Sequence, residues 1–237
     1  MRRAGAAVGD HGLIEPGDHI MVAVSGGKDS LVLLEVLELL RRRSPVNFRL
    51  TAVTLITRDD DQAFAWLGRH YREQGYAHHF ESVPIDHVVQ AKIQDPRTPL
   101  PCVLCSRLRR GVLYTLAIRL RCTKIALGHH LDDLIETLLL NLFFSGQLRT
   151  MAPRRRSDDG CNVVIRPLCY VPEAWIRQCS VEREFHTLTC DGAHCKVAAA
   201  DGRRAHVKRL VQELAASHPQ VRYQALRALR TGLLTAR

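Results

Sequence analysis

The feature that most restricts the fold is a six-residue loop, Ser25-Gly-Gly-Lys-Asp-Ser30, placed between an apolar run and an amphipathic one. His19-Ile-Met-Val-Ala-Val24 before it reads as a buried strand, and Leu33, Leu34, Leu37 and Leu40 after it recur at helical spacing. A strand, a glycine loop and a helix in that order form the first half of a βα unit. Gly26 and Gly27 let backbone approach an anion, and the open N–H groups and dipole of the helix start favour phosphate there. Lys28 adds a point charge, while Asp29 and Ser30 suit a helix start and Ser25 and Ser30 bring hydroxyls to phosphate oxygens. The spacing fits neither G-x-x-x-x-G-K-[ST], since Val22 stands where a glycine is required, nor G-x-G-x-x-G.

Further along, apolar runs and helical patterns alternate. Strands are expected at Arg49–Leu55, Ala77–Val83 and Thr123–Leu127, and helices at Ala63–Gln74 and about Ser106–Arg121. Such alternation reads as an α/β fold with a doubly wound parallel sheet, whose ligand lies at the carboxyl ends of the strands. A second polar motif falls at such an end: Gly128-His129-His130-Leu131-Asp132-Asp133 opens a helix expected over Leu134–Leu142. Paired carboxylates beside a polyphosphate suit Mg²⁺, and the histidines suit phosphate or adenine. Taken alone, the same residues also suit a capped turn.

Cys102 and Cys105 are three residues apart in Pro101-Cys-Val-Leu-Cys-Ser-Arg-Leu-Arg-Arg110. Two thiolates so spaced can hold one metal from a loop and the first turn of a helix, where the dipole lowers thiol pKa; zinc, iron-sulfur and redox uses all share the pattern. Cys122, Cys161, Cys169 and Cys179 lack such spacing and read as ordinary buried thiols.

Charge points to the partner. The formal balance is +10, and from Arg203 to Arg237 eight Lys and Arg face one acid, Glu213. This stretch reads as two helices broken near Pro219, with Leu226, Leu229 and Leu233 docked inward and the arginines outward. Such a face suits RNA phosphates, extended by Arg107, Arg109, Arg110, Arg149 and Arg154–Arg156. With 5% aromatic residues, a broad base-stacking platform is not expected. No apolar run reaches the roughly 18 residues of a membrane span, and the first ten residues lack the apolar core of a secretory signal. A cytoplasmic protein is expected.

SGGKDS after a strand resembles the pyrophosphate loop of the PP-loop ATP pyrophosphatase superfamily. Together with PCVLCSRLRRGVLY, GHHLDDLIETLLLNLFFSGQLRTMAP and Val163-Ile-Arg-Pro-Leu-Cys-Tyr-Val-Pro-Glu173, the chain resembles the tRNA 2-thiocytidine synthetase (TtcA) family from about Ile14 onward. The resemblance implies a PP-loop, adenine nucleotide alpha-hydrolase-like domain over residues 1–180 carrying the CxxC pair, and a basic C-terminal extension over residues 181–237. It implies cleavage of ATP between its α and β phosphates, adenylation of the cytidine at position 32 of tRNA, and insertion of sulfur to give 2-thiocytidine. The nucleotide site would comprise Ser25, Gly26, Gly27, Lys28, Asp29, Ser30, Gly128, His129, Asp132 and Asp133, with Mg²⁺. Catalysis would fall to Lys28, Asp29 and the cysteines that hold a [4Fe-4S] cluster: Cys102, Cys105 and a third, Cys190, with Cys195 the alternative because the segment before the next helix is lengthened. A cysteine desulfurase or other sulfur donor and a homodimer are implied in the same way. Two other readings stand beside this one: an amine-transferring ligase of the lysidine synthetase type, against which the cysteine pair argues, and an ATP-binding protein with structural zinc.

Overall fold

The computed structural model describes residues 1–57, 61–85, 102–188 and 202–233. Elements run in the order α1 (Arg2–Asp10), β1 (His19–Ala23), α2 (Lys28–Arg43), β2 (Arg49–Ile56), α3 (Asp61–Glu73), β3 (His78–Ser82), α4 (Cys102–Arg119), β4 (Lys124–Ala126), α5 (Leu131–Ser145), β5 (Arg154–Arg156), β6 (Val163–Ile165), α6 (Glu173–Glu182), α7 (Arg203–Ser217) and α8 (Val221–Ala228). A wide turn over Leu229–Leu233 continues α8. The strands form a six-stranded sheet in the order β3-β2-β1-β4-β6-β5. All neighbours are parallel except β5, which runs antiparallel on the outer edge of β6.

The sheet is covered on both faces, which is why β1 reads as a continuous apolar run. Its residues alternate all the same: Ile20 and Val22 join Leu33, Leu34 and Leu37 of α2 and Ile176 of α6 in one core. Met21 turns the other way, onto Leu116 and Ala117 of α4 with Ile125 and Val53. This is the doubly wound arrangement expected. A third core joins Leu131, Leu134 and Ile135 of α5 to Val207, Val211, Leu226 and Leu229, so the C-terminal helices dock on α5 through two leucines of the expected stripe; the side chain of the third, Leu233, lies outside the described residues. Their break falls between Ser217 and Val221, around Pro219.

Several helices start earlier than the sequence reading places them. α2 begins at Lys28 and α5 at Leu131, ahead of the leucine runs that signal them, because Lys28, Asp29 and Ser30, and Asp132 and Asp133, belong to a first helical turn. α4 begins at Cys102, so both cysteines of the pair lie in one helical turn rather than astride a loop and a helix. Strand β6 has three residues and is too short for periodicity to reveal.

Candidate nucleotide site and its C-terminal clamp

At the carboxyl end of β1 the chain turns sharply through Gly26, whose φ is +81°. Ser30 closes the loop: its Oγ donates to the Gly27 carbonyl at 2.8 Å and accepts the Ser25 N–H at 3.2 Å. Gly27 is the N-cap of α2 and supplies no capping side chain, so the first-turn N–H groups are open to an anion. The loop geometry therefore fits phosphate. Leu188 lies across Gly26, its N–H donating to the Gly26 carbonyl at 2.9 Å, and a Cβ on Gly26 would meet the Leu188 Cδ1 at 2.5 Å.

The second motif presses on the first. A Cβ at Gly128 would stand 3.0 Å from the Asp29 carbonyl carbon and 3.1 Å from the Ser30 nitrogen, backbone atoms that cannot yield without moving the loop. Glycine at this position lets the ends of β1 and β4 share one site. His130 and Asp133 then cap α5 reciprocally: the His130 Nδ1 accepts the Asp133 N–H, and the Asp133 Oδ2 accepts the His130 N–H at 3.1 Å. Accepting at Nδ1 leaves the His130 proton on Nε2, 3.7 Å from the Asp29 Oδ1. His130, absent from the expected site residues, is thus the cap. His129 stands beside it with a buried Nδ1 that has no partner, and burial, then the charge of Arg166, lowers its pKa to about 4.

The two aspartates have different surroundings. Asp132 is 3% exposed, and its two oxygens accept the Glu173 N–H at 2.7 Å and the Arg222 Nε at 2.5 Å. Asp133, one residue on, keeps a fifth of its side chain exposed and meets Arg204 at 2.8 Å. Asp29 is more open still. Asp29 and Asp133 are therefore the more accessible carboxylates of the site, whereas Asp132 ties α5 to α6 and α8.

Lys28 introduces a residue that the sequence reading missed. Its Nζ lies 2.9 Å from Asp29 and 3.1 Å from the Glu173 Oε1, and the other Glu173 oxygen lies 3.2 Å from Lys208 of α7. Burial opposes the Glu173 charge, but its hydrogen bonds and ion pairs with Lys28 and Lys208 outweigh it and hold the carboxyl at about 2. Burial likewise opposes the Lys28 charge, and Asp29 and Glu173 outweigh it, raising the ammonium pKa. Because the folded-state pKa of Glu173 is depressed, its contribution is complete above the unfolded value near 4.5 and is lost as pH falls toward 2. Urea unfolding from pH 7 to pH 2 is expected to show Glu173→Gln about 1–2 kcal/mol less stable at neutral pH once solvent screening is allowed for, with the gap closing through that window.

The C-terminal cations do not all point outward. Arg222, Lys208 and Arg204 turn in onto Asp132, Glu173, and the Asp133 and Glu136 pair, while Arg203 and Arg227 remain exposed. The other cysteines also divide. Cys169 is buried, and burial drives its thiol up to about 12; Cys122 is half-buried and raised to about 11; Cys179 is raised by burial as well. Cys161 is exposed, contrary to expectation, because it ends the polar turn between β5 and β6. Cys105 lies half-buried in the first turn of α4, and the backbone of Cys102 begins that turn. The side chain of Cys102, and Cys190 and Cys195 altogether, lie outside the described residues, and among those described no three metal-ligating side chains converge.

Comparison with known proteins agrees with this geometry. The PP-loop domain family matches residues 3–191. A tRNA-cytidine(32) 2-sulfurtransferase of Geobacter sulfurreducens is 48% identical over 225 residues, 95% of this chain and 86% of that protein. The protein of the same name from Anaeromyxobacter sp. strain Fw109-5 is 45% identical over 97% of this chain and 74% of its own. The chain belongs to the tRNA-cytidine(32) 2-sulfurtransferase family. Among solved structures, the U34-tRNA thiolase NcsA from Methanococcus maripaludis, with its [4Fe-4S] cluster, superposes with a TM-score of 0.76 at 20% identity, covering 100% of this chain and 80% of that one, which shows the shared PP-loop fold. No described helix of this family member is long and apolar enough to cross a membrane.

Proposed function

We propose that this protein is an ATP-dependent tRNA sulfurtransferase that converts the cytidine at position 32 of tRNA to 2-thiocytidine in the cytoplasm. The observation that carries the reading is the family relationship over nearly the whole chain, at 48% identity to a named tRNA-cytidine(32) 2-sulfurtransferase. The site supplies a chemical rationale. Cytosine O2 is a poor leaving group, so it first attacks the α-phosphorus of ATP; the bond to the bridging oxygen breaks and pyrophosphate departs. Sulfide then adds at C2 of the adenylated base, and AMP leaves with the original oxygen.

Gly26, Gly27 and the first turn of α2 receive the phosphates, with Ser25 and Ser30 shaping the loop. Lys28, held by Asp29 and Glu173, meets the negative charge that grows on the departing pyrophosphate. Asp29 and Asp133 are the carboxylates for Mg²⁺, Gly128 and His129 border the nucleotide, and Asp132 positions them by anchoring the helices around it. Cys102, Cys105 and Cys190 would hold the [4Fe-4S] cluster, which supplies the sulfur when bound. Spacing from Phe185 favours Cys190 over Cys195 as the third ligand. A cysteine desulfurase or other sulfur donor replenishes the sulfur.

The direct test is anaerobic incubation of the full-length protein with tRNA, ATP, Mg²⁺ and sulfide, followed by nucleoside mass spectrometry. The expected result is 2-thiocytidine at position 32, with AMP and pyrophosphate released in step. Lysidine formed in the presence of lysine, or ATP cleavage without any modified cytidine, would overturn the reading.

A further inference from the structure

Arg166 follows β6 directly and is only 8% exposed. Burying a guanidinium is costly unless an anion meets it. Its Nη1 donates to the Ala152 carbonyl at 2.6 Å, yet its Nε is buried with no partner, and among the described residues no carboxylate pairs with it. The charges nearest to it have the same sign: burial first, then Arg110 of α4 and Arg155 of β5, lower its pKa to about 10. On the end of the adjoining strand β4, the Nδ1 of His129 is likewise buried and unpartnered. A buried guanidinium N–H without an acceptor and a buried imidazole nitrogen without a partner therefore lie where β4 and β6 end, at the edge of the sheet where ligands of such folds bind.

Position distinguishes this cluster from the nucleotide loop. In the strand order β1-β4-β6, Arg166 stands two strands from β1, roughly 10 Å away. On its other side β5 is an edge strand made of Arg154, Arg155 and Arg156, all exposed; Arg155 meets Asp158 at 2.6 Å and Arg154 meets the Gly12 carbonyl and Glu15, and an incoming polyanion would replace these two surface carboxylates. A track of this kind fits a polyanion better than a single small ion.

We propose that Arg166, with Arg110, Arg155 and His129 about it, is a phosphate subsite for the RNA backbone beside the nucleotide to be modified, an inference that rests on the tRNA reading above. By fixing one phosphodiester next to α4, the subsite places the flipped base relative to the cysteine turn, and it does so without reading sequence.

The test uses the full-length protein prepared anaerobically and an unmodified tRNA carrying cytidine 32, with binding measured across a series of salt concentrations and ATP affinity measured in parallel. Arg110→Gln and Arg155→Gln are expected each to reduce the slope of log Kd against log salt by about one. Arg166→Gln is expected to weaken tRNA binding by about tenfold or more, and Arg166→Lys by less, both with ATP affinity unchanged. Wild-type affinity and slope in Arg166→Gln would make Arg166 a purely structural arginine. Weakened ATP binding with intact tRNA binding would give the phosphate to the nucleotide instead. Should Arg166→Gln not fold, an unchanged slope in the Arg110 and Arg155 variants overturns the subsite. A wild type that binds no tRNA strikes the functional reading as well, whereas normal wild-type binding with unaffected variants strikes the subsite alone.

Discussion

Lys28→Met is expected to slow tRNA-dependent pyrophosphate release by about 100- to 1,000-fold, the usual cost of removing one preorganised charge from a transition state. Lys28 is the one cation of the Ser25–Ser30 loop, and it starts the helix whose first-turn amides are open to an anion. Asp29 and Glu173 fix its ammonium and keep it charged. The same geometry predicts a limited loss of stability. In the variant, Glu173 retains Lys208, and Asp29, partly exposed, is rehydrated. Rate and unfolding should therefore separate: a large fall in kcat, a modest fall in Tm, and unchanged tRNA affinity. A kcat within tenfold of wild type would remove Lys28 from the transition state and leave it a structural partner of Glu173.

That lysine was legible in the sequence because a glycine loop between a strand and a helix has few other uses. Glu173 was not, although it touches Lys28, because 145 residues separate the two and Pro172-Glu173 reads only as a helix start. The same limit applies to Asp132 and Asp133. They are adjacent and chemically identical, and what separates them is that Arg222 and the N-terminus of α6 close over one of them. The inward leucines of α8 and the turn that continues it were readable from helical periodicity, since burial of Leu226 and Leu229 follows from it. The direction of the arginines was not, since a charged side chain turns inward when a buried carboxylate waits for it, and no local pattern records that. Gly128 illustrates the intermediate case: its motif was visible, but the need for glycine comes from contact with Asp29 across the sheet.

The cysteines provide the other large effect. In protein purified anaerobically, Cys102→Ala and Cys105→Ala are each expected to lose the about four irons and four sulfides of the wild type and to reduce 2-thiocytidine formation to background. Both residues occupy the first turn of α4, where the helix start favours thiolate, and Arg107, Arg109 and Arg110 follow on the next turn. Cys169→Ala and Cys122→Ala are expected to retain the metal, because burial keeps those thiols protonated, at about 12 and about 11, and a protonated thiol is a poor ligand. The comparison of Cys190→Ala with Cys195→Ala identifies the third ligand, with loss of iron expected in the first alone. Three thiolates rather than four would leave one position open for sulfur, the distinction that separates reactive from structural metal centres. Stoichiometric zinc with no iron, bound by the same pair, would therefore remove the sulfur-delivering role of these cysteines while leaving the nucleotide site and Lys28 as described.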